Sequence, residues 1–150
     1  MSHLLIRRLS PLREEFLAAR AALAYTRDQW PSAHGHASLF GATFEALQRA
    51  VKHVEATYTI RLFAEFEAIL RDQYPHSRPG RPIPRNSDGL INGLRDHYRI
   101  PAHHVEPVHR VRIFRHSVAH ADPRAERIPF GDALSYLNRY LSFIPDADVP

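Results

Sequence analysis

Nine apolar residues set the frame for this chain. Phe40, Phe44, Leu47, Val51, Val54, Tyr58, Leu62, Phe66 and Ile69 follow one another at steps of three and four. Such spacing keeps one stripe along an α-helix, whereas a strand needs alternation in twos. The pattern predicts a long amphipathic helix from about Ala37 to Tyr74, with a possible break near Thr57–Thr59. A stripe that long must be covered, so further helices are required to pack on it.

The rest of the sequence supplies them. Ser10-Pro11 reads as a helix start, with serine as the cap and proline in the first turn. Leu12, Phe16, Ala19 and Leu23 then share a face, and the helix is predicted to fade near Trp30-Pro31. Residues 32–36 read as a loop. Residues 74–89, YPHSRPGRPIPRNSDG, are dense in proline and read as a flexible loop. Beyond it, Ser87 or Asp88 is placed to cap a short helix carrying Leu90, Ile91, Leu94 and Tyr98. IPAHHVEP reads as a connector. A helix from Pro107 then carries Val108, Val111, Phe114 and Val118 and ends near His120, because Asp122 precedes Pro123. A last helix after Pro129 carries Phe130, Leu134, Leu137, Tyr140 and Leu141 and stops at Pro145. Strand-like alternation is nearly absent. The expected architecture is one all-α domain over residues 1–150, a bundle of four to five helices.

Composition narrows the chemistry. With no cysteine, disulfides, thiolate nucleophiles and cysteine-ligated zinc are excluded, and a reducing, cytoplasmic setting is expected. MSHLLIRRLSPLREE has only a short apolar run before charges return, so no signal peptide is expected. No stretch reaches the ~20 apolar residues of a membrane span. The formal charge is +4, and Lys52 is the only lysine among 20 basic residues. Arginine contacts phosphate in a planar, two-pronged way, which suits an RNA partner. A GC-rich genome produces the same bias without any such partner. No Walker loop, GxGxxG or GxSxG is present, and no helix-turn-helix stands out.

The chemistry concentrates in FRHSVAHAD, residues 114–122. On an ideal helix Arg115 lies about 60° from Val118 and so borders the apolar stripe. His116 and His120 are one turn apart and share a face. Arg115 and His120 are about 140° apart and converge only across a wide cleft or a distorted last turn. Ser117, Ala119 and Ala121 leave room around them. Each has a plainer explanation. His116 can be an ordinary exposed residue, Arg115 can pair with a carboxylate such as Glu55, and His120 can be a cation at a helix C-terminus. Glu65 and Glu67 lie on opposite sides of a helix and read as solvated.

The grouping of Arg115, the polar His116 and His120, with four residues between Arg115 and His120, resembles the HEPN superfamily (higher eukaryotes and prokaryotes nucleotide-binding). The likeness runs over roughly residues 37–145: a long helix, the motif at the close of a penultimate helix, and a final helix after a short loop. The resemblance implies an all-α fold that forms a homodimer, with the two motifs facing each other across one cleft. It implies a metal-independent endoribonuclease of toxin or phage-defence type that uses no cofactor, with an antitoxin or other protein as a further partner. Some members bind nucleotides or partners without catalysis. Arg115, His116 and His120 are the catalytic candidates on this reading, and Arg78, Arg81, Arg85 and Arg112 are candidates for RNA phosphates. In members regulated by a modified tyrosine, that residue stands two positions after the motif histidine. Here that position is Asp122.

A metal site is the rival for the same residues. His116 and His120 have zinc-helix spacing, and His34, His36, His103 and His104 offer further ligands. The glutamate of HExxH is missing, and the expectation is no metal.

Overall fold

A computed structural model describes residues 3–30, 41–119 and 126–146. Among these the chain is all-α, with no strand. Its helices are α1 (His3–Arg7), α2 (Ser10–Asp28), α3 (Phe44–Ser77), α4 (Ser87–Tyr98), α5 (Ala102–Ala119) and α6 (Phe130–Leu141). No helix among the described residues is long and apolar enough to cross a membrane.

The long helix α3 spans 34 residues, about 51 Å, and is the axis of the bundle. Its two halves differ. From Thr59 onward it buries Leu62, Phe63, Phe66, Ile69, Leu70 and Tyr74, because α4, α5 and α6 all pack there. Before Thr59 it buries only Leu47, and α2 is its neighbour. The single stripe read from the sequence therefore widens to two flanks in the C-terminal half, adding Phe63 and Leu70 to Leu62, Phe66 and Ile69. No break occurs at Thr57–Thr59. The Thr57 and Thr59 hydroxyls each donate to the carbonyl four residues back, at 3.0 and 2.9 Å, which keeps their polar groups satisfied within the helix. Thr43 caps α3 by accepting from the Ala46 N–H at 3.1 Å, so the helix begins at Phe44 rather than near Ala37. Phe40 and residues 32–36 lie outside the described residues.

Other boundaries also depart from the sequence expectation, and α6 ends at Leu141 rather than at Pro145. Ser10 is inside α2 and caps nothing. Leu9 holds the cap position in helical geometry, because α1 leads straight into α2 and Leu9 is fully buried at the joint. The cap of α4 is Asn86, whose side chain accepts from the Gly89 N–H at 2.8 Å. Helix α5 begins at Ala102, with Pro107 inside it, since Val105 continues the buried stripe of Val108, Val111 and Phe114 by one further turn.

Two helix starts are capped from far along the chain. The Glu55 carboxylate accepts from the Phe130 N–H at 3.1 Å, serving α6, whose own cap residue Pro129 has no side-chain donor or acceptor. Asp146 accepts from the Leu4 and Leu5 N–H groups at 3.4 and 3.3 Å and so serves α1. Gly93 lets α4 lie against α3, for a Cβ there would stand 2.8 Å from the Tyr74 ring.

At the centre, Phe66 meets Tyr140 edge-on at 5.6 Å, and the Tyr140 hydroxyl donates to the Ile91 carbonyl at 2.6 Å. Burial, the largest cause, pushes this hydroxyl above its ordinary value of 10.0. Above pH 10 the unfolded chain releases a proton that native Tyr140 retains, so rising pH favours unfolding. Stability is expected to be insensitive to this group below pH 10 and to fall above it by about 1.4 kcal/mol per pH unit. Denaturant titrations across pH 8–12 should show that slope in the wild type and a shallower one in Tyr140→Phe. The substitution itself should cost about 1 kcal/mol at neutral pH.

Candidate functional site

Helix α5 crosses α3 and lays its outer face beside the start of α4. Val108, Val111 and Phe114 point into the core. That packing turns His109, Arg112 and His116, which are spaced at i, i+3 and i+7, toward the first turn of α4. Arg115 sits at the edge between the two faces. A cleft of about 270 Å³ results, lined by Ser87, Arg112, Arg115 and His116.

Arg115 is held from behind. Its Nη1 donates to Glu67 Oε2 at 3.1 Å, and its guanidinium lies 5.7 Å from the centre of the Phe63 ring. The partner is thus Glu67, not Glu55, which is engaged as the cap of α6. Glu67 is only 17% exposed, while the Arg115 side chain is 42% exposed. Solvation of Glu67 was the sequence expectation, and the packing of α5 on α3 overturns it. Glu65, on the far side of α3, is bound instead by Arg8 at 2.9 Å. The bond to Glu67 uses one of the five guanidinium donors of Arg115, so the group keeps donors for a ligand.

Glu67 also ties this site to the loop between α3 and α4. Its Oε1 accepts from Arg71 Nη2 at 2.8 Å, and Arg71 donates to the Pro84 and Arg85 carbonyls at 3.0 and 2.8 Å. The proline-rich segment is accordingly shorter than read from the sequence. Helix α3 runs through Pro75 to Ser77, and the loop begins at Arg78. Its arginines divide into two kinds. Arg78 turns inward and donates to the Gly93 carbonyl at 2.9 Å, with its Nε buried and unpartnered. Arg81 and Arg85 are exposed.

Arg112 is steadied by two groups that the sequence reading passed over. Its Nε donates to His109 Nδ1 at 3.3 Å, and its Nη2 lies 3.4 Å from Asp88 Oδ1. A His109 ring that accepts at Nδ1 carries its proton on Nε2, which reaches Asn92 Oδ1 at 3.4 Å. Burial first, and then the charges of Arg112 and Arg95, hold this imidazole below its ordinary value against the pull of Asp88. His109 is therefore a neutral spacer near pH 7, not a cation. The shared face of His109, Arg112 and His116 was available from spacing alone. The Glu67–Arg115 pair was not, since its members are 48 residues apart.

The cleft is electropositive for two reasons. Two guanidiniums line it, and it opens at the N-terminal end of α4, where backbone N–H groups carry partial positive charge. An anion with several oxygens, such as a phosphate, matches that lining. His120 lies outside the described residues, as do His34 and His36. Among the described residues no group of three His, Asp or Glu side chains is arranged to hold a metal. His103 and His104 contact each other at the opposite end of α5, about 18 Å from His116 by helical rise. Set against known proteins, the chain matches no family model, no curated protein and no solved structure.

Proposed function

We propose that this protein is a metal-independent endoribonuclease of the HEPN kind, acting as a homodimer. The observation that supports it best is the convergence of Arg112, Arg115 and His116 on one cleft at the start of α4. His120 follows α5 directly in sequence. In the proposed reaction the 2′-hydroxyl of RNA attacks the adjacent phosphorus, and the bond to the 5′-oxygen breaks. The products are a 2′,3′-cyclic phosphate and a free 5′-hydroxyl. One imidazole takes the 2′-hydroxyl proton and another protonates the leaving oxygen, roles that suit groups titrating near neutrality. Arg115 stabilises the added charge on the phosphorane, with Arg112 beside it. His116 orients these groups. Arg81 and Arg85 on the loop serve the flanking phosphates, and Arg78 supports the loop from within.

One chain carries one His120, while the reaction uses two proton transfers. A two-fold pair brings the second. Ile113 favours α5 as the contact, for it lies on the same helix as the cleft residues and is 54% exposed. Light scattering at micromolar concentration should give about twice the 17.2 kDa chain mass. Ile113→Glu should shift the protein to the monomer and lower cleavage without loss of helical signal. A wild type that stays monomeric with and without RNA would remove the composite site.

The decisive experiment is incubation of the purified protein with mixed RNA in excess chelator, followed by analysis of the ends. A second reading, a non-catalytic module that binds RNA, nucleotides or a partner protein, draws on the Glu67–Arg115 pair. An arginine engaged by a largely buried carboxylate is what a structural role would also produce. RNA retained but uncut would favour that module.

A further inference from the structure

Among the described residues there is a cavity larger than the Arg115 cleft. It lies between the start of α2 and the exposed face of α6, with a volume of about 740 Å³. We propose that it is a separate binding site for a sugar phosphate, either a free nucleotide-sized ester or a unit of an RNA strand. The proposal does not rest on the ribonuclease reading.

Charge is the first argument. Arg13 and Arg139 both line this pocket, and no carboxylate does so among the described residues. Several arginines elsewhere on the bundle are engaged by carboxylates: Arg8 with Glu65 and Asp72, Arg61 with Glu15, Arg71 with Glu67, Arg112 with Asp88. Arg13 and Arg139 have no such partner among the described residues. A guanidinium stays charged near neutral pH, so two in one pocket with no carboxylate in its lining make a positive field that suits an anion. The field reaches beyond the pocket. Arg139 contributes, after burial and His103, to holding the His104 imidazole below its ordinary value.

The remaining lining argues for a ligand larger than an inorganic ion. Ser10 and Ser135 present hydroxyls and Asn138 an amide, while the Ser142 hydroxyl donates to the Arg139 carbonyl at 2.7 Å and offers only its acceptor side. The Asn138 side-chain oxygen is buried and accepts no hydrogen bond, an acceptor left without a partner in the wall of this cavity. Hydroxyls and an amide along one cavity suit the donors and acceptors of a sugar. The volume falls within the ~300–1,000 Å³ of small-molecule sites. This lining suits a phosphate on Arg13 and Arg139 with sugar hydroxyls beside Ser10, Ser135 and Asn138.

Calorimetric titration of the full chain tests this with three probes: adenosine 5′-monophosphate, adenosine and hexauridylate. Arg13→Ala and Arg139→Ala are both exposed changes that leave the core intact. Each should weaken binding of the monophosphate or of hexauridylate by roughly 10- to 100-fold, the loss expected for a charged hydrogen bond. Lys52→Ala, which removes one charge elsewhere, should leave binding within about twofold for the same probes. Adenosine should not bind. Binding of the monophosphate identifies a free ester as the ligand, and binding of hexauridylate alone identifies the strand. The site is overturned if neither phosphate probe binds, or if both bind the two arginine variants as tightly as the wild type.

Discussion

RNA incubated with the purified protein in excess chelator is expected to be cut and to carry 2′,3′-cyclic phosphate ends, and His120→Ala is expected to lower the rate by about 10²–10⁴-fold. DNA should survive, because it has no 2′-hydroxyl to attack. Arg115→Ala should cost about 10²–10³-fold, as removal of one preorganised charge donor does. That variant should still fold, since Glu67 retains its bond to Arg71 and is not left buried without a partner. His116→Ala should do less damage, and His116→Asn, which keeps a polar, hydrogen-bonding side chain there, should be nearly silent. Single-turnover rates on a labelled RNA, with circular dichroism and dimer mass as controls, separate these outcomes. Full activity in His120→Ala, or cleavage that stops on chelation, would defeat the mechanism.

The second large effect concerns the fold. Phe66→Ala is expected to destabilise the protein by about 3–5 kcal/mol. Phe66 is fully buried where α3 meets α6, and it packs edge-on against Tyr140. A domain of this size has roughly 5–15 kcal/mol of total stability, so the variant should be partly unfolded at 37 °C. Phe44→Ala on the same stripe should cost under about 1 kcal/mol, because Phe44 is 39% exposed, its ring lying 5.6 Å from that of Trp30. Urea titrations of the two variants measure the contrast. Equal losses would mean that the N-terminal half of α3 is held as firmly as the C-terminal half.

That contrast also marks what the sequence by itself determined. The all-α class follows from steps of three and four, and it holds for Leu62, Phe66 and Ile69, for Leu90, Ile91 and Leu94, and for Leu137, Tyr140 and Leu141. Periodicity is a local property, since a residue's angle on a helix depends only on its position. Arg112, Arg115 and His116 were legible for the same reason, being neighbours on one helix. Spacing could not say how wide a buried face is. Phe63 and Leu70 are buried because three helices close over one half of α3, and only the tertiary structure decides that number. Nor could it assign partners at a distance. Glu67 holds Arg115 across 48 residues, Glu55 caps α6 across 75, and Asp146 reaches α1 across more than 140. A lone carboxylate reads as solvated in any local window. It becomes a structural or site residue only when packing removes its water and places a guanidinium or a backbone N–H within reach.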